Sequence, residues 1–151
     1  GINWKVVSSP NVDATFNGLG VVPGTNRVWA VGNYNTGTYQ TLIEYWNGRN
    51  WNIVSSPNLN DGGSLSEVAI ISAYNIWSVG NYLSTNGNFY PLIEHWNGTI
   101  WSVVSNPNLS SSNSSFYSVV RILGTNQVWA VGAYYTSIGI APEQTLVEFY
   151  C

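Results

Sequence analysis

Charge is what this sequence has least of. Of 151 residues, 4 are Lys or Arg and 7 are Asp or Glu, 7% together, for a net charge of -3; ordinary soluble domains carry about 25%. Lys5, Arg27, Arg49 and Arg121 are scattered and build no basic stripe, which argues against nucleic acid as a partner. No apolar run approaches the ~20 residues of a membrane-spanning helix, so no membrane partner is expected. Cys151 is the single cysteine and excludes an internal disulfide; it is a free thiol or a link between two chains. His95 is the single histidine, and with no cysteine cluster there is no zinc set. Asp13, Asp61 and Glu143 are isolated acids that make a poor calcium site. One histidine, no serine elbow and no glycine-rich phosphate loop leave no nucleophile–base arrangement, so the expectation is a non-enzyme without cofactor or metal. Methionine is absent even at position 1, which reads as a trimmed or mature chain.

Apolar surface, by contrast, is ample: 44% hydrophobic and 15% aromatic residues. With so few charges, the polar surface must consist of Asn, Ser, Thr and Tyr, which suits hydrogen bonding more than ion pairing. The sequons at Asn97, Asn108 and Asn113 carry little weight in a chain so rich in Asn and Ser.

The sequence repeats itself. Trp4, Trp51 and Trp101 each lead a run ending in proline and asparagine: VVSSPN, IVSSPN and VVSNPN. Trp29, Trp77 and Trp129 sit in VWAVGNY, IWSVGNY and VWAVGAY, while Glu44, Glu94 and Glu148 sit in LIEYW, LIEHW and LVEFY. The tryptophan spacings are 47 and 50, and a following copy of Trp4 would lie 54 beyond Trp101, so the chain holds three whole periods. Their bounds are 1–47, 48–97 and 98–151, within a single unit of 151 residues.

Each period contains four strand-like runs, A to D, rich in β-branched and aromatic residues. In the second they are Leu65 to Ile71, Ile76 to Tyr82, Pro91 to Trp96 and Ile100 to Ser105. Asn47-Gly48 and Asn97-Gly98 join C to D; Asn-Gly tolerates the positive φ of a type I′ hairpin turn. No helical periodicity is present. Four strands per period of about 40 to 50 residues is the pattern of a β-propeller blade. On VWAVGNY, LIEYWNGRNW and VSSPN the chain resembles kelch-type blades, three times over. One glycine stands at Gly32, Gly80 and Gly132 where that family has two.

Gly1 aligns with Gly48 and Gly98, and Cys151 with Asn47 and Asn97, so the sequence is cut within the C–D turn. The expected fold is therefore all-β: three propeller blades per chain, the third completed by residues Gly1 to Ser9 of a neighbouring chain as its outer strand. Its other strands would be Phe116 to Ile122, Val128 to Tyr134 and Thr145 to Tyr150. Propellers run typically from 4 to 8 blades, so a six-bladed homodimer is preferred to a nine-bladed homotrimer. A fragment of a longer propeller is one alternative, and a self-assembling propeller fragment, evolved or engineered and without a ligand, is another.

Two of the loop types are constant and two vary. The A–B and C–D turns are short and regular, whereas Trp29 to Leu42, Trp77 to Leu92 and Trp129 to Leu146 span 13, 15 and 17 residues. The D–A loops lengthen in the same order. Variable loops over a constant scaffold are where binding usually resides. That face carries Tyr34, Asn35, Tyr39 and Gln40 in the first repeat, and Asn81, Tyr82, Asn86 and Tyr90 in the second. Tyr134, Tyr135, Glu143 and Gln144 supply the third. Aromatic faces among amides and hydroxyls match the chemistry of sugars, so the expectation is a secreted or cell-surface, lectin-like recognition module. A kelch-like scaffold for protein partners is the competing reading. Tyr34, Tyr82 and Tyr134 recur at one repeat position and fit packing between blades better than binding; Tyr39, Gln40, Asn86 and Tyr135 do not recur and are the better ligand contacts. Paired carboxylates hydrolyse glycosides, but Glu44, Glu94 and Glu148 recur once per repeat, which points to a structural hydrogen bond or salt bridge. His95 aligns with Tyr45 and Phe149 and fills an aromatic slot.

Overall fold

The computed structural model describes residues 3–10, 13–59, 62–107, 113–135 and 142–151. Among them every regular element is a β-strand. The first antiparallel sheet holds β1 (Ala14–Val21), β2 (Val28–Asn35), β3 (Tyr39–Trp46) and β4 (Trp51–Ile53) in that order. The second repeats it with β5 (Gly63–Ser72), β6 (Asn75–Leu83), β7 (Phe89–Trp96) and β8 (Trp101–Val103). The third has β9 (Ser114–Arg121), β10 (Val128–Tyr134) and β11 (Gln144–Tyr150), with no fourth strand among the described residues.

Registers recur from sheet to sheet. Trp29 faces Tyr45 across β2 and β3, Trp77 faces His95 across β6 and β7, and Trp129 faces Phe149 across β10 and β11. Each first strand bulges opposite the same glycine. A Cβ on Gly32, Gly80 or Gly132 would run into the carbonyl oxygen of Thr15, Ser64 or Ser115. The single glycine of the VGNY motif is thus demanded by close approach of the neighbouring backbone. Gly48 and Gly98 are left-handed, at φ 100° and 99°, but Asn47 and Asn97 are not, so each hairpin is a longer connection between paired tryptophans and not the expected type I′ turn.

The fourth strands are shorter than the expected Ile100 to Ser105. The Val54 and Val104 amides still donate to Ile43 and Ile93 oxygens at 2.9 Å. The chain then leaves the sheet edge ahead of Pro57 and Pro107, which have no N–H to give. In the single chain, residues 3–10 form no strand at all, and Gly1 and Ile2 lie outside the described residues.

The sheets stack so that β5 and β9 each cover the face of the sheet before them. Trp29, Val31 and Ile43 bury against Leu65, Val68 and Ile70 in one core, and Trp77 and Val79 against Phe116 and Val119 in a second. Aromatic rings cross both joints: Trp29 lies 5.1 Å from Trp96 and 5.6 Å from Trp101, and Trp77 lies 4.3 Å from Tyr150. Trp129 has no sheet in front of it and is 40% exposed, against 4% for Trp29 and Trp77. Three repeated antiparallel sheets stacked in this way fit a β-propeller-like fold.

Candidate functional site

The variable ends of the sheets meet in clefts. Between the first and second sheets lies one of about 430 Å³, lined by Thr15, Asn33, Thr38 and Tyr39 from one side and by Gly62 to Ser64, Asn81, Leu83 and Phe89 from the other. Its position follows from strand alternation. Trp29, Val31 and Asn33 share one side of β2, and the row that begins apolar in the core ends polar at the loop. There the Asn33 amide donates to the Ser64 hydroxyl at 2.9 Å, and Asn17 donates to the same oxygen at 3.3 Å. Among the described residues, Thr15 and Asn81 make no side-chain hydrogen bond and no charged side chain lines the cleft. Exposed Tyr39 and Phe89 form apolar walls.

The arrangement recurs between the second and third sheets, where Phe89, Asn113, Ser115, Tyr117, Ala133 and Tyr135 help line a cleft of about 500 Å³. Register makes the two equivalent: Ser64 corresponds to Ser115, Asn81 to Ala133 and Leu83 to Tyr135. Phe89 takes part in both clefts. Asn113, at φ 66°, clasps the second joint, accepting the Phe89 amide on its side chain at 3.1 Å and donating its own amide to the Phe89 oxygen at 3.0 Å.

Of the residues singled out from sequence, Tyr39 and Asn81 line the first cleft and Tyr135 the second. The others are placed elsewhere. Tyr82 packs on the first core and stacks on Tyr90 at 5.7 Å, Tyr134 packs on the second core, and Tyr34 ends β2 half-buried. Asn86 donates to the Tyr90 hydroxyl at 3.0 Å and Gln40 to Thr38 at 2.8 Å, so both serve their own loops. Asn35 accepts the Gly37 amide, Gln144 donates to the Pro142 oxygen, and Glu143 accepts the Tyr117 hydroxyl at 3.2 Å. Asn33, Ser64, Phe89 and Ser115 were not singled out; Ser64, Phe89 and Ser115 read as loop residues in the sequence, and the structure extends β5, β7 and β9 to include them. The available signal was Asn33 and Asn81 giving way to Ala133 inside an otherwise constant motif.

The repeated glutamates sit away from these clefts, between the sheets. Glu94 is fully buried, and the Ser56 hydroxyl donates to both its oxygens at 2.9 and 3.1 Å. Ser56 is in turn 2.8 Å from the Thr41 hydroxyl, which bonds Asn58 at 3.0 Å. Burial pushes the Glu94 carboxyl up to about 8, against the downward pull of the Ser56 hydrogen bond. Glu44 is equally buried but departs from the expected structural bond: neither oxygen has a partner among the described residues, and burial raises its pKa. Burial raises Glu148 as well. His95 stacks on Trp77 at 4.3 Å and its Nε2 lies 3.0 Å from the Asn75 side-chain oxygen; burial lowers its pKa. No group of three or more metal-ligating side chains occurs among the described residues.

Compared with known proteins, the sequence matches no family model and no curated protein.

Proposed function

We propose that the three sheets are blades of a β-propeller of kelch-like build, closed into a six-bladed ring by a second chain, and that the ring is a non-enzymatic, lectin-like recognition module. The observation that carries the binding role is the cleft between the first and second sheets and its recurrence one joint further on. Its size falls within the ~300–1,000 Å³ of small-molecule sites. Its walls, Tyr39 and Phe89, offer flat apolar faces to the C–H surface of a sugar ring, and Thr15, Asn33, Ser64 and Asn81 offer amide and hydroxyl groups to its OH groups. Among the described residues the lining is uncharged, which favours a neutral sugar over a uronic or sialic acid. Several weak, related clefts around one ring gain by avidity on a multivalent glycan.

Titration of the 151-residue chain with neutral mono- and oligosaccharides, followed by NMR or calorimetry, tests this. Binding at millimolar or tighter affinity is expected. Tyr39→Ala should weaken the first cleft about tenfold, or ~1.4 kcal/mol, and Phe89→Ala should weaken both. No binding to any neutral sugar at millimolar concentration, or binding unaffected by both variants, overturns the assignment. Capture of one dominant protein partner through the same face would favour the scaffold reading instead.

A further inference from the structure

Among the described residues no strand covers β11, whereas β3 and β7 are each covered by a short strand that begins with tryptophan. Residues 3–9, NWKVVSS, have the sequence of those covering strands but pair with nothing, and Trp4 and Val6 are each 100% exposed. A fully solvated tryptophan in an extended segment is half of an interface. The rear of the segment, however, already runs along the first sheet. Val7 and Ser9 lie beside Val28 and Ala30 of the first sheet, as Val104 and Asn106 lie beside Val128 and Ala130 of the third. What projects is only the part that forms the outer strand in the other repeats.

We infer that residues 3–9 of one chain exchange onto β11 of a second copy in a defined register, Trp4 opposite Tyr150, Lys5 opposite Phe149 and Val6 opposite Glu148. The inference rests on the ring reading above and specifies its joint. The register is that of Trp51 on Trp46 and Trp101 on Trp96, repeated in the first two sheets. The seat for the indole exists too. Trp101 packs at 5.6 Å on Trp29 beside Trp96, and in the third sheet Tyr150 already lies 4.3 Å from Trp77 with the corresponding place beside it. Trp4 of the second copy fills that place.

Two further features join in. Trp129, Val131, Val147 and Phe149 form an exposed apolar face on the third sheet; their counterparts Trp29, Val31 and Ile43 are buried under Leu65, Val68 and Ile70. Phe16, Leu19 and Val21 of β1 correspond in register to that covering set and are themselves exposed. One chain thus carries both halves of a joint that it uses internally twice. The exchanged segment also ends where Glu44 is buried with no partner among the described residues: Ser9 corresponds to Ser56, whose hydroxyl holds Glu94. Seating the strand brings Ser9 to Glu44 as Ser56 is brought to Glu94.

The register makes Asn3 the counterpart of Asn50 and Cys151 the counterpart of Asn47, which are joined across the hairpin turn by an amide–carbonyl bond of 3.2 Å. Hydrogen-bonded pairs hold their Cα atoms about 5.5 Å apart, within disulfide reach. The test is Asn3→Cys in the full chain, with the mass in solution measured before mild oxidation and the covalent species resolved afterwards without reductant. The expected result is a two-chain mass for both wild type and variant. Near-complete conversion of the variant to a closed two-chain disulfide species should follow, while Ser8→Cys, out of register, stays uncrosslinked. A closed three-chain species supports the exchange and replaces the two-fold ring by a three-fold one. A two- or three-chain mass without Asn3→Cys crosslinking overturns the exchange and leaves the ring standing. A monomeric wild type, or a disulfide formed within one chain, overturns both.

Discussion

Glu94 makes the stability of this protein depend on pH in a direction opposite to that of a paired surface carboxylate. Burial raises its pKa from 4.5 to about 8. Between those values the folded chain holds a proton that the unfolded chain has released. Stability conferred on the protonated form is therefore complete below about pH 4.5 and falls as pH rises, at about 1.4 kcal/mol per pH unit. By pH 8 the loss totals roughly 5 kcal/mol, after which Glu94 contributes no further slope. Glu44 and Glu148 are raised by burial as well and act in the same direction. Glu94→Gln keeps the shape and an oxygen to accept the Ser56 hydroxyl, and it cannot ionise. The variant should match wild type near pH 4.5 and exceed it by several kcal/mol near pH 8. Urea midpoints measured at half-unit steps from pH 4.5 to 8.5 read the difference directly. Wild-type stability that rises across this window refutes the reasoning, as does a Glu94→Gln penalty independent of pH.

Gly80→Ala should cost about 2–4 kcal/mol, the range expected of backbone strain and local overpacking, because its Cβ meets the Ser64 carbonyl oxygen; thermal unfolding reads it, and a change under 0.5 kcal/mol refutes it. Trp77→Ala should cost ~3–5 kcal/mol as a large core truncation. If the ring closes, Trp129→Ala should cost a similar amount and also weaken association, whereas a single open chain would register much less. Both are measurable by denaturation at two protein concentrations.

Much of the scaffold was legible because its signals are local and repeat three times. Asn47-Gly48 and Asn97-Gly98 announce hairpins, and the β-branched and aromatic runs on either side of them announce strands. The lengths of β4 and β8 were not legible, since what ends them is the departure of Val54–Pro57 and Val104–Pro107 toward the next sheet, a tertiary event. The clefts were only partly legible for a similar reason. Tyr39, Asn81 and Tyr135 stood out as polar or aromatic loop-end residues, but Asn33 and Ser64 become neighbours only when two sheets 31 residues apart in sequence are stacked. The buried state of Glu44 and Glu94 is likewise a property of the joint between sheets, and no spacing within one strand reveals it.

The segment from Val54 to Asn58 belongs to two sheets at once. Thr41 of the first sheet holds Ser56 and Asn58, and Ser56 holds Glu94 of the second. In the language of a one-dimensional lattice, such a segment adds a nearest-neighbour coupling to the intrinsic free energy of each unit. Melting the first sheet strips its neighbour of a hydrogen-bond donor and uncovers a carboxyl that was held protonated, so a half-unfolded chain is disfavoured on both sides of the boundary. The three repeats should accordingly lose structure in one transition, without the stepwise fraying that weakly coupled arrays show.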